Sequence, residues 1–309
     1  MNKSILHCAV ISPMFSYGNQ KLELRPTELK GIMRYIYRIA NHSVDTKLLY
    51  KVESKYFGDA EEHASPVRLQ MKVAGIKLGL QPLLLHKPID DKNKKKPHFE
   101  IGTTFDVVIR TLFRANKDVD EKPHEWYKEL VLLSIVLGGL GKRTRRGRGC
   151  VTTTELTQKN NQQLLMWVTD HLNEINDNKF LYEIKNGVIV AVADLSRFKR
   201  PVIEKIEIGK EIKDINAFLE SVDEAAHTIK CTWHKRMPDD KFATGFVVPK
   251  RDSNGSGRFS SSVIVSVTQT SDGIFPIYTY VKAIYNSSPL DIDCQERDEF
   301  ISLIKGGLH

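Results

Sequence analysis

Long apolar runs are missing from this chain of 309 residues. No window approaches ~20 consecutive apolar positions, so no transmembrane helix is expected. Met1 to Ser12 carries one lysine and a short apolar stretch. It lacks the extended apolar core of a secretory signal and reads as a first strand. Cysteine is scarce: Cys8, Cys150, Cys231 and Cys294 are the four present. No pair has the short spacing of a zinc knuckle or a redox motif, and the usage fits a reducing cytoplasm. No histidine–carboxylate cluster has metal-ligand spacing, so neither a metal nor another cofactor is expected. Acid does not dominate either. Lys and Arg number 46 against 38 Asp and Glu, a net charge of +8, which favours polyanionic partners.

What is present divides into two stretches of mixed pattern. At roughly 100–200 residues per domain the length suggests two domains, placed here at 1–156 and 157–309. Leu6 to Phe15 is a β-type run and Thr27 to Asn41 a helix, with Pro26 in its first turn, where proline is tolerated. Val67 to Leu85 is β-rich, interrupted by Gly75 and Gly79, and Lys92 to Lys96 reads as a basic loop tip. From Phe99 to Phe113 apolar residues fall on odd positions, the period of a half-buried strand. Pro123 to Leu137 is a helix that Gly138 is expected to end as a left-handed cap. A strand resumes at Cys150 to Thr154. The order β-α-β-β-α-β is the ferredoxin-like order, shared with the RNA-recognition module, although no aromatic RNP signature is visible. The second stretch is again α+β: helices over Gln162–Ile175, Glu211–Cys231 and Cys294–Ile304, strands over Val188–Ala193, Val202–Ile208, Ser261–Thr268 and Ile274–Ile284, and a loop at Ser253–Gly257. A degenerate second copy of the first domain is expected.

One loop stands out. Gly138 to Gly149 reads Gly-Gly-Leu-Gly-Lys-Arg-Thr-Arg-Arg-Gly-Arg-Gly, five glycines and five basic side chains. Glycine permits positive φ and close backbone approach; arginine offers a planar fork of donors that matches phosphate oxygens. A Walker loop runs strand–loop–helix and ends Gly-Lys-Ser/Thr, whereas Gly141-Lys142 is followed by Arg143 and the loop joins a helix to a strand. A dinucleotide fingerprint fails on the same topology. Two readings stay open: a phosphodiester clamp made of Gly139, Gly141, Lys142, Arg143, Arg145, Arg146, Gly147, Arg148 and Gly149, or a solvated charged hairpin.

The first helix supplies a second basic feature. Lys30, Arg34 and Arg38 are spaced i, i+4, i+8, a stripe roughly 12 Å long at ~1.5 Å per residue. Leu29, Ile32, Met33, Ile36 and Ala40 fall opposite and are expected to pack on the sheet. Tyr35 and Tyr37 flank the stripe as stacking rings or as boundary residues. The stripe is one wall of an RNA groove or the wet face of an ordinary amphipathic helix.

These segments carry a resemblance. Ser12-Pro13-Met14-Phe15, then Arg25-Pro26-Thr27-Glu28-Leu29-Lys30-Gly31-Ile32-Met33-Arg34-Tyr35, Phe57-Gly58, Ser65-Pro66-Val67 and the loop Gly138–Gly149 resemble, in order, the motifs of the RAMP superfamily of CRISPR systems. Within it they are most similar to the family of first subunits of the Cmr (type III-B) effector. In the second half only Arg258–Ser262 is loosely similar. Arg148 stands where relatives usually have an apolar or aromatic residue, and Cys150 where a small hydroxyl residue is common. The resemblance implies two ferredoxin-like RAMP domains in tandem. It also implies a non-catalytic role in holding the 3′ part of a guide RNA and the guide–target duplex beside other RAMP subunits.

Some RAMP relatives cut precursor RNA without metal through a histidine. His42, at the end of the basic helix, is the best-placed candidate for such a Cas6-like endoribonuclease; alternatively the helix dipole and free carbonyls favour it there. His98, His124, Asp59 and Asp106 carry no partner signature. The main expectation is an RNA-binding subunit without a catalytic centre. The rivals are the endoribonuclease and a module that contacts only protein neighbours.

Overall fold

Alternating burial along Thr104–Thr111 places Phe105, Val107 and Ile109 on one face of a strand, while Val108 is covered on the other. The computed structural model describes residues 2–90, 93–112, 122–236, 243–247, 258–285, 288–289 and 294–306. The first half contains β1 (Asn2–Val10), α1 (Pro26–Ala40), α2 (Thr46–Phe57), β2 (Val67–Gly75), β3 (Thr104–Thr111), α3 (His124–Leu137) and β4 (Val151–Thr153). Its sheet has the order β2-β3-β1-β4 with every pair antiparallel. Apart from α2, the elements follow the order β-α-β-β-α-β, and the sheet is the split arrangement that this order gives.

Three local expectations are corrected here. The strand expected over Phe99–Phe113 is two elements. Lys95–Phe99 pairs with Leu78–Pro82 in a projecting hairpin, and a turn at Gly102, φ +82°, separates it from β3. Gly138 is extended at φ −138° and is no left-handed cap; an added Cβ would stand 2.9 Å from Ile32 Cγ2 and from the Ser134 carbonyl, so it is glycine for packing. The helix α2 is an addition. Asp45 caps it, its Oδ1 accepting from the Lys47 and Leu48 amides.

The second half contains α4 (Asn161–Ile175), β5 (Tyr182–Lys185), β6 (Val188–Ala191), β7 (Ile203–Ile208), α5 (Ile215–Arg236), β8 (Val263–Thr270), β9 (Gly273–Val281) and α6 (Gln295–Gly306). Its sheet is antiparallel in the order β8-β9-β7-β6-β5. The run β7-α5-β8-β9-α6 repeats the first five of the six alternating elements, and β8-β9-β7 repeats the order β2-β3-β1. The place that β4 takes beside β1 is filled beside β7 by β6, which comes earlier in the chain. The expected loop at 253–257, Lys92 and Phe113 lie outside the described residues.

α3 is the central post. Every residue from Leu130 to Leu137 is buried, and Ser266 Oγ on β8 donates to the Val136 carbonyl at 2.7 Å. The first apolar cluster gathers β1, α1 and α3, then continues past residue 157 into Leu164, Leu172, Ile189 and Ile206. The second cluster centres on Phe218, Val222, Val265 and Phe300 but includes Ile11 and Cys150. The apolar cores therefore interlock across position 156. Among the described residues no helix is long and apolar enough to cross a membrane.

Candidate nucleic-acid interface

The glycine-rich loop folds onto two other segments. On one side it zips to the Ser12–Phe15 turn: Gly149 N donates to the Pro13 carbonyl at 3.0 Å and Lys142 N to the Phe15 carbonyl at 3.1 Å. On the other it meets β8, where Gly147 N donates to the Val265 carbonyl at 2.7 Å. These approaches account for the glycines. Gly149 has φ +70° and an added Cβ would lie 1.8 Å from the Leu140 carbonyl. Gly141 has φ +92° with the Phe15 carbonyl at 2.5 Å, and Gly139 faces the Arg148 carbonyl at 2.6 Å. Gly147, at φ +77°, packs on Leu219 and Phe218. The close neighbour of these backbones is the protein itself.

The loop's cations divide by depth. Arg148 is 1% exposed and meets Asp223 of α5 through its two terminal guanidinium nitrogens, at 3.2 and 2.6 Å. Arg143 joins the same carboxylate at 2.6 Å. Arg146 is buried over the Phe300 ring, 4.7 Å from its centroid, and donates to the Thr244 carbonyl at 2.7 Å and to Ser261 Oγ at 3.1 Å. Burial pushes its pKa down to about 10. Arg146, Gly147, Arg148 and Gly149 thus face inward. Lys142 is exposed, its ammonium 4.8 Å from the Tyr17 ring centroid. Arg145 is half-buried: its guanidinium lies 4.6 Å from the Tyr35 ring centroid and donates to the Ser261 carbonyl.

Arg145 and Tyr35 stand in a cleft of about 280 Å³ between α1 and the loop. The helix wall is Glu28, Gly31, Ile32 and Tyr35; the loop wall includes Gly139, Gly141 and Thr144. Gly31 is informative. Glycine inside a helix costs about 1 kcal/mol relative to alanine, yet nothing lies within 4 Å of a Cβ built there. Intramolecular packing does not require it; its effect is to leave the cleft open.

The basic stripe lies on another face of α1. Lys30 Nζ donates to Ser65 Oγ at 2.6 Å, Arg34 to the Gly58 carbonyl, and Arg34 Nε stands 3.1 Å from Glu53 Oε1. Arg38 Nε is 3.5 Å from Glu53 Oε2. Burial raises the Glu53 pKa even though Arg38 and Arg34 oppose it. Helix and loop are brought together as expected, but the face presented to the cleft is Gly31–Tyr35, not Lys30–Arg34–Arg38. The stripe braces α1 to α2 and to the Gly58–Ser65 connection.

Residues 7–152 match the sequence profile of the RAMP superfamily. They are a RAMP domain. No curated protein sequence matches the chain. Among solved structures the full chain is similar to a chain of a type III-B Cmr-beta complex bound to cognate target RNA and AMPPnP (TM-score 0.59, 15% identity, 99% of each chain). It is also similar to apo Cmr1 from Pyrococcus furiosus (TM-score 0.59, 16% identity, 100% of this chain and 97% of the other). A Cmr-beta complex bound to cognate target RNA gives 0.58 at 13% identity, over 99% of each chain. The mixed α/β fold is thus that of these chains.

Within the RAMP domain His42 is buried, with Nε2 2.9 Å from the Tyr182 hydroxyl and its ring against Phe198. Burial, with Arg200 and Arg197 nearby, holds its pKa down at about 4. His124 bonds Ser4 Oγ at 2.8 Å and Thr111 Oγ1 at 2.9 Å. Asp106 meets His7 at 2.8 Å. Asp59 caps the 61–63 turn; amides and the His63 ring hold its carboxyl far below the usual range. Among the described residues no group of three His, Cys, Asp or Glu side chains could hold a metal ion. Sequence reasoning missed Glu53 and Asp223, the acids that take up the basic residues; nothing in the local sequence pairs either with its arginines. Gly31 was visible as a glycine inside a helical pattern.

Proposed function

We propose that this chain is a non-catalytic, RNA-binding RAMP subunit of a type III-B Cmr-like CRISPR effector. It lays the 3′ part of a guide RNA, or the guide–target duplex, along the cleft between α1 and the glycine-rich loop. Both halves are read as ferredoxin-like, the second lacking its last strand and using β6 in its place. Neighbouring RAMP subunits are its protein partners, in the cytoplasm. The observation that carries the reading is the open cleft: Gly31 keeps its mouth clear, the Arg145 guanidinium lies over the Tyr35 ring, and Lys142 stands exposed on the loop. Half-buried Arg145 has donors to offer a phosphate, and Tyr35 offers an aromatic surface. Contacts of this kind bind backbone and position it without reading sequence.

The absence of a catalytic role is part of the proposal. His42 is neutral at pH 7 and bonded to Tyr182, which supports a structural part. The test is a salt titration of RNA binding by the full chain and its Gly31→Leu variant, with a labelled repeat RNA incubated in EDTA alongside. Gly31→Leu should stay folded and lose most RNA affinity. Unchanged affinity removes the cleft from the proposal, and site-specific cutting abolished by His42→Ala replaces it with the endoribonuclease.

A further inference from the structure

The sheet of the first half has one covered face and one open face. Leu6, Cys8, Phe105 and Val107 lie on the covered face and share the apolar cluster of α1 and α3. The outward positions alternate with these, and the strand registers set them in rows. Arg68 of β2 stands opposite Arg110 of β3, which stands opposite Lys3 of β1. Four residues along the strands, Lys72, Asp106 and His7 form a parallel row. Gln70, Val108 and Ile5 lie between the two.

The first row is three cations side by side. Like charges directly opposite one another weaken a strand pair. On α1 and in the glycine-rich loop the arginines are answered by Glu53 and Asp223. Here Lys3, Arg68, Arg110 and Lys72 form no ion pair among the described residues. Arg110 donates only to a neutral group, Gln70 Oε1, at 3.2 Å. The one acid in the three rows is Asp106, and it is bonded to His7 Nδ1 at 2.8 Å. Lys3, Arg68 and Lys72 are exposed. The strands thus hold an unbalanced positive row toward solvent, an arrangement that an external anion relieves.

The spacing excludes a small ion. The cationic row spans about 10 Å and Lys72 lies about 13 Å farther along, so one phosphate cannot bridge them but a chain of charges can. None of the nine side chains is aromatic, which leaves no platform for unstacked bases. A duplex needs none, because its bases stack on one another and its surface is phosphate and sugar. Beyond Lys72 and His7 the face runs into a cavity of about 330 Å³ lined by His7, Asp106 and the exposed Thr104 and Thr154. The His7 side chain is 74% exposed, and with Nδ1 on Asp106 its Nε2 is left open to a ligand. Hydroxyl and imidazole groups of this kind suit a ribose 2′-hydroxyl, which donates and accepts and which DNA lacks.

We propose that the open face of this sheet binds the backbone of an RNA duplex. Lys3, Arg68, Arg110 and Lys72 meet phosphates, while His7 and Thr104 meet 2′-hydroxyls at the cavity end. The face is on the side of the sheet away from α1. It is therefore separate from the cleft and does not rest on the reading given to it.

The experiment is fluorescence anisotropy of a labelled RNA duplex against the full chain and a Lys3→Gln, Arg68→Gln, Lys72→Gln triple variant, over a range of salt. Both are measured in the Gly31→Leu background, so that any contribution of the cleft is common to the two arms. The triple variant should bind at least about tenfold more weakly at low salt, with a salt slope smaller by about 2–3. Without RNA it should melt no lower than its parent, because it loses only repulsion. Should the triple variant fail to fold, Arg68→Gln alone carries the test, with a slope smaller by about 0.9. His7→Ala should narrow the preference for an RNA duplex over a DNA duplex of the same sequence. The proposal is overturned by an unchanged slope, by a single RNA strand of equal length that binds as tightly, or by a DNA duplex that binds as tightly. Polyglutamate that displaces the RNA at equal charge concentration also overturns it and gives the face to an acidic protein.

Discussion

Arg148 of the glycine-rich loop and Asp223 of α5 form an ion pair at 2.6 Å with both side chains inside the protein. The pair joins the two halves, and Arg143 closes on the same carboxylate from the loop's outer side. A buried pair of this kind is worth little over an apolar pair of equal volume, but breaking it strands a charge. Asp223→Ala should therefore destabilise the chain by about 3–5 kcal/mol, whereas Arg148→Met with Asp223→Leu should cost far less. Urea unfolding of the three chains measures this. Equal losses in the single and double variants would mean that the charges do not act as a pair.

Two left-handed glycines give a matched comparison. Gly149 and Gly187 have φ of +70° and +74°, but a Cβ at Gly187 meets nothing within 4 Å. Gly187→Ala should cost only the backbone strain, about 1–2 kcal/mol. Gly149→Ala adds a collision with the Leu140 carbonyl and should exceed about 4 kcal/mol or prevent folding. Thermal melts distinguish them; similar melting temperatures would place the loop elsewhere.

His171 carries a pH signal. Burial alone would lower its pKa, but hydrogen bonds and charge from Glu129, at 3.2 Å, and Glu174, at 2.9 Å, outweigh burial and raise it. Glu129 moves the opposite way: burial would raise it, and the His171 and Trp167 hydrogen bonds hold it below the usual range. The raised histidine stabilises the fold fully below about pH 6.5, and this is lost as pH rises through its folded pKa. The depressed carboxylate stabilises above about pH 4.3 and is lost as pH falls through its folded pKa. The pair contributes most between those limits. His171→Gln should flatten the fall in stability from pH 6 to 8; an unaltered profile would show that the pair does not titrate.

The face of α1 proposed to meet RNA is open to direct comparison. Arg145→Ala should weaken RNA binding and reduce the salt slope by about 0.7–0.9, one phosphate contact. Arg34→Ala removes the bonds to Gly58 and Glu53 and should lower the melting temperature while leaving the slope nearly unchanged. A slope that drops for Arg34→Ala and holds for Arg145→Ala would move the RNA to the other side of the helix.

Much of this was written in local sequence. The alternation around Phe105–Ile109, the helical period from Leu29 to Ala40 and the glycine-flanked arginines gave the element order and brought α1 near the loop. The side of α1 that faces the loop was not legible, because Glu53, which draws Arg34 and Arg38 away, sits on α2, a separate stretch that nothing in the local sequence ties to the basic stripe. Asp45 before Thr46 and Gly58 after Phe57 were its only punctuation. Arg148 was unreadable for a similar reason. A buried arginine needs its acid, and Asp223 is 75 residues further along. The order β8-β9-β7-β6-β5 depends on a hairpin taking a place normally filled from downstream, which no local pattern encodes.

The rung between the loop and β8 has a further consequence. β8 is an edge strand, apolar and buried along Val263–Thr268, with β9 on one side. On its other side Val265 exchanges hydrogen bonds with the loop, donating to the Arg145 carbonyl at 3.3 Å and accepting from Gly147. An unpaired strand of this composition is a template for joining another chain. The glycine-rich loop thus acts as a guard strip against self-association. Cutting the chain at residue 156 would expose a sticky ribbon in the second piece, and the solubility of that piece would depend on a segment left behind in the first.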